Sequence, residues 1–237
     1  SRNVPVDTFF EASPICASQS FLSSCATPGS GLLGIQWYIY RDTLVLSQLA
    51  VTSCDEWKFV YATGARNSGT NYTSQPSIAV FNEFVMDEDA TNSSVQFNTV
   101  KPIPFFCDGQ PVVYNWGATE LDGDSLHWEL DTAASGYSNI TQQFSYITYN
   151  NVPAGMAAVN GLEPIPGITI DSLSGQVEFT AFIPPGFQFA NYAVAVKVSE
   201  YDAFTGAYKG TTQRDVQFIV LDSCDNNPPT QDPLGIT

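Results

Sequence analysis

The sequence predicts an all-β fold made of two tandem β-sandwich domains. Short runs of β-branched and aromatic residues recur along the chain, and Gly, Pro, Asn, Asp or Ser bound each run, which favours strands joined by turns. No long window carries the period of an amphipathic helix. Hydrophobic residues make up 43% of the chain and aromatic residues 13%, so apolar side chains are abundant enough for packed cores.

Strand-like runs follow one another along the whole chain. We place them at residues 34–40, 57–61, 77–81, 103–107, 112–116, 125–130, 168–170, 177–180, 190–200 and 213–221. When the last seven runs alternate in direction, the turn at 119–124 and the hairpin at 201–210 meet at one pole. A parallel pairing of the first and last of these seven strands would bring Cys107 and Cys224 together at the other pole.

The domain boundary is expected close to residue 101. Pro102 and Pro104 lock the backbone φ angle and remove hydrogen-bond donors, so this stretch cannot lie in the middle of a sheet. We therefore expect an N-terminal module at residues 1–101 and a second module at 102–226, followed by a linker at 227–237.

The charge balance and the apolar pattern each exclude one class of partner. Eight Lys and Arg residues stand against 24 Asp and Glu residues, which gives a formal net charge of −16. A nucleic-acid partner is excluded, because the chain offers no basic patch that would release phosphate counterions. No apolar run reaches the length of about 18 residues that a membrane-spanning helix needs, so we expect no membrane insertion.

The five cysteines favour disulfides outside the cell over a zinc site. They lie far apart without a C-x-x-C pair, and the chain has a single histidine. Abundant Ser, Thr and Asn with little Lys and Met indicate an extracellular location, where disulfides persist. A Cys107–Cys224 bridge would close a loop of more than 100 residues and stabilise the fold by about 4–5 kcal/mol. Buried free thiols are the alternative, and Cys25 has two candidate partners, Cys16 and Cys54.

The most specific local motif is an acidic turn with Glu120, Asp122 and Asp124 around a glycine. Carboxylates at alternate positions can converge on Ca²⁺, which takes six to eight oxygen ligands in flexible geometry. Glu200 and Asp202 belong to the hairpin at the same pole and would complete the oxygen set. The alternative is an ordinary acidic turn, in which Asp and Gly serve only the backbone.

A second acidic segment follows the last predicted strand. Asp222 and Asp225 lie in an Asp- and Asn-rich stretch that can donate oxygens to calcium ions shared with a following domain. The alternative for this stretch is a hydrophilic linker interrupted by prolines. A third acidic loop lies at residues 87–89. If it reached the first calcium site, the bound calcium would stiffen the junction between the domains.

Catalytic motifs are scarce, so we assign no catalytic residue and expect that the chain is not an enzyme. The lone His127 falls inside a strand-like run, and no G-x-S-x-G motif is present. Two alternatives stay open. A secreted glycoside hydrolase would assemble a pair from the 24 carboxylates. A carbohydrate-binding module would expose tryptophans for stacking, whereas their place inside strand-like runs favours core burial.

Several short motifs together resemble one family of surface proteins. In chain order they include Cys54-Asp55-Glu56-Trp57-Lys58-Phe59, Cys107-Asp108-Gly109-Gln110, Asp122-Gly123-Asp124-Ser125-Leu126, Val198-Ser199-Glu200-Tyr201 and Asp222-Ser223-Cys224. They are similar to the repeated extracellular β-sandwich modules of giant gliding-motility-associated surface adhesins of Bacteroidota, which the type IX secretion system exports. The resemblance covers about residues 36–229, and the second half also resembles cadherin-like and PKD-like domains.

This resemblance implies immunoglobulin-like or cadherin-like sandwiches at the cell surface, with calcium held by the acidic turn and the linker. The implied function is structural and adhesive, in gliding motility and surface attachment. The implied partners are neighbouring modules of the same chain and an extracellular surface or polysaccharide. Glu120 stands where the family's turn usually begins with Asp, and residues 225–227 only approximate a cadherin linker.

Overall fold

The protein is described by a computed structural model over most of its length. The described residues are 3–12, 21, 23–30, 34–45, 55–64, 66–72, 77–86, 92–98, 104–149 and 164–222. Within them the chain forms fifteen β-strands and no α-helix, which confirms the predicted all-β class. No helix in these ranges is long and apolar enough to cross a membrane.

The chain divides into two compact units. They comprise residues 1–55 with 100–102, and residues 56–99 with 103–237. In the smaller unit, the described strands β1 (Val6–Glu11) and β2 (Gln36–Tyr40) form an antiparallel pair. Folding of residues 1–101 and 102–226 as separate, tandem immunoglobulin-like domains stays a prediction.

The described part of the larger unit consists of three sheets. Its strands are β3 (Glu56–Thr63), β4 (Ile78–Val85), β5 (Gln96–Phe97), β6 (Phe105–Cys107), β7 (Pro111–Asn115), β8 (Ala118–Thr119), β9 (Ser125–Asp131), β10 (Ala134–Ser138), β11 (Gln143–Tyr146), β12 (Thr169–Ile170), β13 (Gln176–Thr180), β14 (Phe189–Tyr201) and β15 (Tyr208–Leu221). An eight-stranded sheet has the order β11-β10-β4-β15-β14-β9, with β3 beside β4 and β6 beside β15. The order β12-β13-β7 forms a second sheet, and β5 pairs with β8.

A hydrophobic core lies between the β14–β15 hairpin and the β12-β13-β7 sheet. Because side chains alternate between the two faces of a strand, Val194, Val196 and Val198 point to the same side of β14. All three are fully buried. They belong to one cluster with Val177 of β13 and with Trp116, which follows β7. Two sheets packed face to face in this way are consistent with the predicted sandwich.

The eight-stranded sheet forks at β4 and bends there. β3 pairs along the whole of one edge of β4, so β15 and β10 share the other edge, at residues 82–84 and at Ala79. Because β15 continues past Thr212 in its pairing with β14, β4 has to turn away from it to leave room for β10. Only residues 132 and 133 connect β9 to β10, and that short connection spans at most about 11 Å. Ala79, Ala134 and Ala195 are buried in this region, where small side chains allow a close approach.

The first and last predicted strands of the second half lie side by side. β6 and β15 pair in parallel, which confirms the pairing expected from strand parity. Cys107 lies opposite Leu221 at the end of this pairing. Cys224 lies outside the described residues, so its bridge to Cys107 stays a prediction. Cys25 is a free thiol, which leaves both of its candidate bridges unformed.

Candidate functional site

Side chains predicted as calcium ligands meet at the turn end of the β14–β15 hairpin. Tyr201 at the end of β14 lies opposite Ser125 at the start of β9. The turn at 120–124 leads directly into Ser125, so it lies beside the hairpin, as the strand parity predicted. We define the acidic pole as Glu120, Asp122, Asp124, Glu200 and Asp202.

Glu120 shapes its own turn. Its Oε1 accepts a hydrogen bond from the backbone N–H of Asp122 at 2.7 Å. Its Oε2 accepts from the N–H of Gly123 and from that of Asp124, the latter at 2.7 Å. Gly123 has a φ of +86°, a left-handed conformation that glycine adopts without strain. For Glu120, the structure therefore shows the backbone role that an ordinary acidic turn would give it.

Asp202 has a comparable role in the β14–β15 turn. Its Oδ1 accepts hydrogen bonds from the backbone N–H groups of Phe204 and Thr205, at 3.0 and 2.7 Å. These bonds favour the ionised form and lower the pKa of Asp202 below its ordinary value. Lys209 is the nearby cation, with its Nζ 4.0 Å from Oδ2.

Glu200 differs from these two carboxylates because no cation pairs with it among the described residues. The residue is 0% exposed, and neither carboxylate oxygen has a hydrogen-bond partner of normal geometry in the described part of the chain. Burial, with a smaller contribution from the charges of Glu120 and Asp124, raises its pKa from the ordinary 4.5 to about 7. The backbone N–H of Val95 offsets only part of this rise.

Asp124 and Asp122 complete the acidic pole. Asp124 is partly buried, and its Oδ2 lacks a hydrogen-bond partner among the described residues. Burial and the neighbouring charge of Glu120 raise the pKa of Asp124 above its ordinary value. Asp122 is exposed, and its Oδ2 accepts a hydrogen bond from the backbone N–H of Ser93.

The acidic pole has the donor chemistry for Ca²⁺ without a finished coordination shell. Among the described residues, no group of three or more His, Cys, Asp or Glu side chains is already arranged to hold a metal ion. The unpartnered oxygens of Glu200 and Asp124 nevertheless match the oxygen ligands that Ca²⁺ prefers. Glu120 and Asp122 would have to release backbone N–H groups before their oxygens could join them.

The second predicted calcium segment lies elsewhere. Asp222 is exposed and directly follows β15, at the end of that strand remote from the acidic pole. Asp225 and the acidic loop at 87–89 lie outside the described residues. The structure therefore does not bring Asp222 together with the acidic pole, and calcium binding by the linker stays a prediction.

The tryptophans and the histidine occupy ordinary strand positions. Trp116 and Trp128 are buried in the core, as their strand-like surroundings predicted. Trp37 and Trp57 are half-buried on β2 and β3. His127 is exposed on β9, opposite Ser199. Neither core tryptophan is available as a stacking platform for a sugar.

A buried ion pair that the sequence did not predict lies on the opposite face of the hairpin from Glu200. Both terminal nitrogens of Arg66 donate to the carboxylate of Asp215, at 2.9 and 2.5 Å. The Arg66 and Asp215 side chains are only 6% and 4% exposed. The two residues are separated by 149 positions, so only the folded chain shows that they are paired.

The sequence matches no protein-family model, and no curated protein is detectably similar to it. The likeness to gliding-associated adhesins therefore rests on the short motifs quoted above.

Proposed function

We propose that the chain is a structural and adhesive module of a long bacterial cell-surface adhesin or filament, acting in gliding motility and surface attachment. The all-β architecture supports a mechanical role, because its long β14–β15 hairpin is hydrogen-bonded over its whole length and buried on the core side. The charge of −16 supports an extended, soluble array, since like-charged modules repel each other. The short motifs shared with gliding-associated adhesins supply the cell-surface context and the neighbouring modules as partners.

The observation that carries the proposal furthest is the buried Glu200 carboxylate, with which no cation pairs in the described part of the chain. A buried ionised carboxylate is strongly unfavourable unless a proton or a cation neutralises it. Glu120, Asp122 and Asp124 add further oxygens at the same place, and Lys209 is the cation that acts on Asp124 there. Calcium bound at the acidic pole would join the 120–124 turn to the β14–β15 hairpin and stiffen that end of the sandwich.

The test is calcium titration by calorimetry, combined with thermal unfolding in calcium and in chelator. We expect stoichiometric binding and a higher melting temperature in calcium. Binding to the folded state alone stabilises it by about 2.7 kcal/mol at a hundredfold excess over Kd. The double variant D122A/D124A should abolish both effects, and Asp222→Ala, remote from the pole, should leave them intact.

Absence of both binding heat and a melting shift would contradict the calcium part of the proposal. An equal effect of magnesium would also contradict it, because Mg²⁺ demands a smaller and more regular oxygen shell than this flexible set of carboxylates provides.

A further inference from the structure

A cleft lies on the face of the eight-stranded sheet that is turned away from the sandwich core. One cavity of about 260 Å³ is lined by residues of β3, β4, β9, β11, β14 and β15. A second cavity of about 260 Å³ adjoins it, and the two share Lys58 and Glu83. Because the sheet bends, this face is concave, and a concave surface is the usual shape of a ligand site.

The polar groups of the cleft are charge pairs and hydroxyls. Lys58 forms an ion pair with Glu83, and the Nζ of Lys197 lies 2.9 Å from the Oε1 of Glu129. These four side chains keep between 31% and 49% of their surface exposed, so they are accessible to a ligand.

Hydroxyl groups lie at the base of the cleft, where Ser199 and Thr211 are buried. The Tyr208 hydroxyl donates to the Oγ1 of Thr211 at 2.8 Å. Thr211 in turn shares a hydrogen bond of 2.8 Å with Ser199. Tyr208 lines the second cavity, whereas Thr211 and Ser199 line the first, so one chain of hydroxyls joins the two cavities.

Aromatic rings form one wall of the cleft. The ring centroids of Phe81 and Phe144 lie 5.1 Å apart, and those of Phe144 and Tyr146 lie 6.3 Å apart. The Nζ of Lys58 lies above Phe81 and Phe144, at 5.2 and 5.4 Å from their centroids. Tyr146 is 50% exposed at the end of this row, so its ring is available for stacking.

We propose that this cleft binds a neutral oligosaccharide. A sugar ring has an apolar C–H face that stacks on an aromatic side chain and hydroxyl groups that both donate and accept hydrogen bonds. Tyr146 and Phe144 offer the first contact, and each Lys–Glu pair offers a donor beside an acceptor. This inference rests on the adhesive half of the proposed function and names the class of polymer that the module grips.

The charge balance favours a neutral sugar over an acidic one. Each lysine of the cleft is already balanced by a glutamate, so a carboxylated or sulfated sugar finds no net positive charge there. The chain as a whole carries −16, which repels an anionic polymer.

The test is calorimetric titration of the full chain with neutral hexasaccharides of glucose, mannose and galactose, and with a hexamer of galacturonic acid. We expect saturable binding of at least one neutral oligosaccharide. Tyr146→Ala should weaken it about fivefold through loss of the stacked ring. Lys197→Met should weaken it by a similar factor, because it removes a donor while leaving the aromatic wall intact.

The matched control is Phe189→Ala. Phe189 is exposed to nearly the same extent as Tyr146, at 52%, and it lines neither cavity. Binding should be unchanged in this variant. Binding that survives Tyr146→Ala and Lys197→Met, preference for the galacturonate hexamer, or no binding of any neutral hexasaccharide would each overturn the proposal.

The calcium measurements separate this proposal from the one on which it rests. A calcium-dependent melting shift without sugar binding would overturn the oligosaccharide site alone. Sugar binding without any calcium effect would leave the cleft assignment standing and would contradict the calcium part of the proposed function.

Discussion

Two buried carboxylates on the β14–β15 hairpin experience opposite electrostatic environments. Asp215 lies on the face turned away from the core and is held by two hydrogen bonds from Arg66. The same guanidinium also donates to the carbonyl oxygen of Ala134, at 3.0 Å. Glu200 lies on the core side, equally buried, and neither of its oxygens has such a partner.

The difference follows from the small number of cations in the chain. Eight Lys and Arg residues cannot pair with 24 carboxylates, so the fold provides a cation for some buried acids and not for others. Asp215 has its counter-ion built into the same chain. Glu200 has to take a proton or a cation from solution, and this makes the acidic pole sensitive to conditions that should leave the Asp215 pair unaffected.

The largest effect is expected when Asp215 is made to resemble Glu200. Arg66→Met removes the guanidinium and leaves a buried carboxylate without a counter-ion. We expect the free energy of unfolding at neutral pH to fall by about 3–5 kcal/mol. Urea unfolding followed by tryptophan fluorescence measures this loss.

The double variant R66M/D215L sharpens the result. Replacing both partners of a buried ion pair with apolar side chains is often neutral or stabilising. Most of the lost stability should therefore return. If the double variant is as unstable as Arg66→Met, the loss arises from packing of the Arg66 side chain and the comparison with Glu200 fails.

A smaller effect, dependent on pH, is expected at Glu200 in the presence of chelator. Its folded-state pKa of about 7 lies above the ordinary 4.5, so the folded protein keeps the proton that the unfolded chain releases between these values. The contribution of Glu200 to the free energy of unfolding should therefore be highest below pH 4.5. It should fall by up to about 1.4 kcal/mol per pH unit until pH 7 and then change no further.

Glu200→Gln removes this titration, because the amide cannot ionise. Unfolding measured across the same pH range should lose the component of the slope that Glu200 contributes. The matched control is Glu178→Gln, since Glu178 is an exposed strand glutamate on β13. A slope that is the same in wild type and Glu200→Gln would show that Glu200 is compensated in the folded state.

The smallest effect on stability is expected at an exposed ion pair. Lys197 and Glu129 are 33% and 49% exposed, so water and salt screen their attraction. Lys197→Met should change the free energy of unfolding by less than about 1 kcal/mol. A loss as large as that of Arg66→Met would show that burial does not decide the cost of an unpaired charge in this fold.

Local sequence was enough to predict most of the strands and the position of the acidic pole. β14 and β15 contain the whole of the predicted runs at 190–200 and 213–221. These runs could be predicted because closely spaced β-branched side chains are typical of strands. Strand parity also placed Glu200 beside the 120–124 turn. Its burial could not be predicted, because that depends on which face of β14 meets the second sheet.

The sequence by itself determined the all-β class, the strand directions and the surplus of negative charge, since each depends on neighbouring residues or on composition. Only the tertiary structure decided which carboxylate received a cation, because Arg66 and Asp215 are 149 positions apart. The cleft also depends on the tertiary structure. β10 and β11 carry a weak strand pattern, and the place of β10 beside β4 depends on the part of the β4 edge that β15 leaves free.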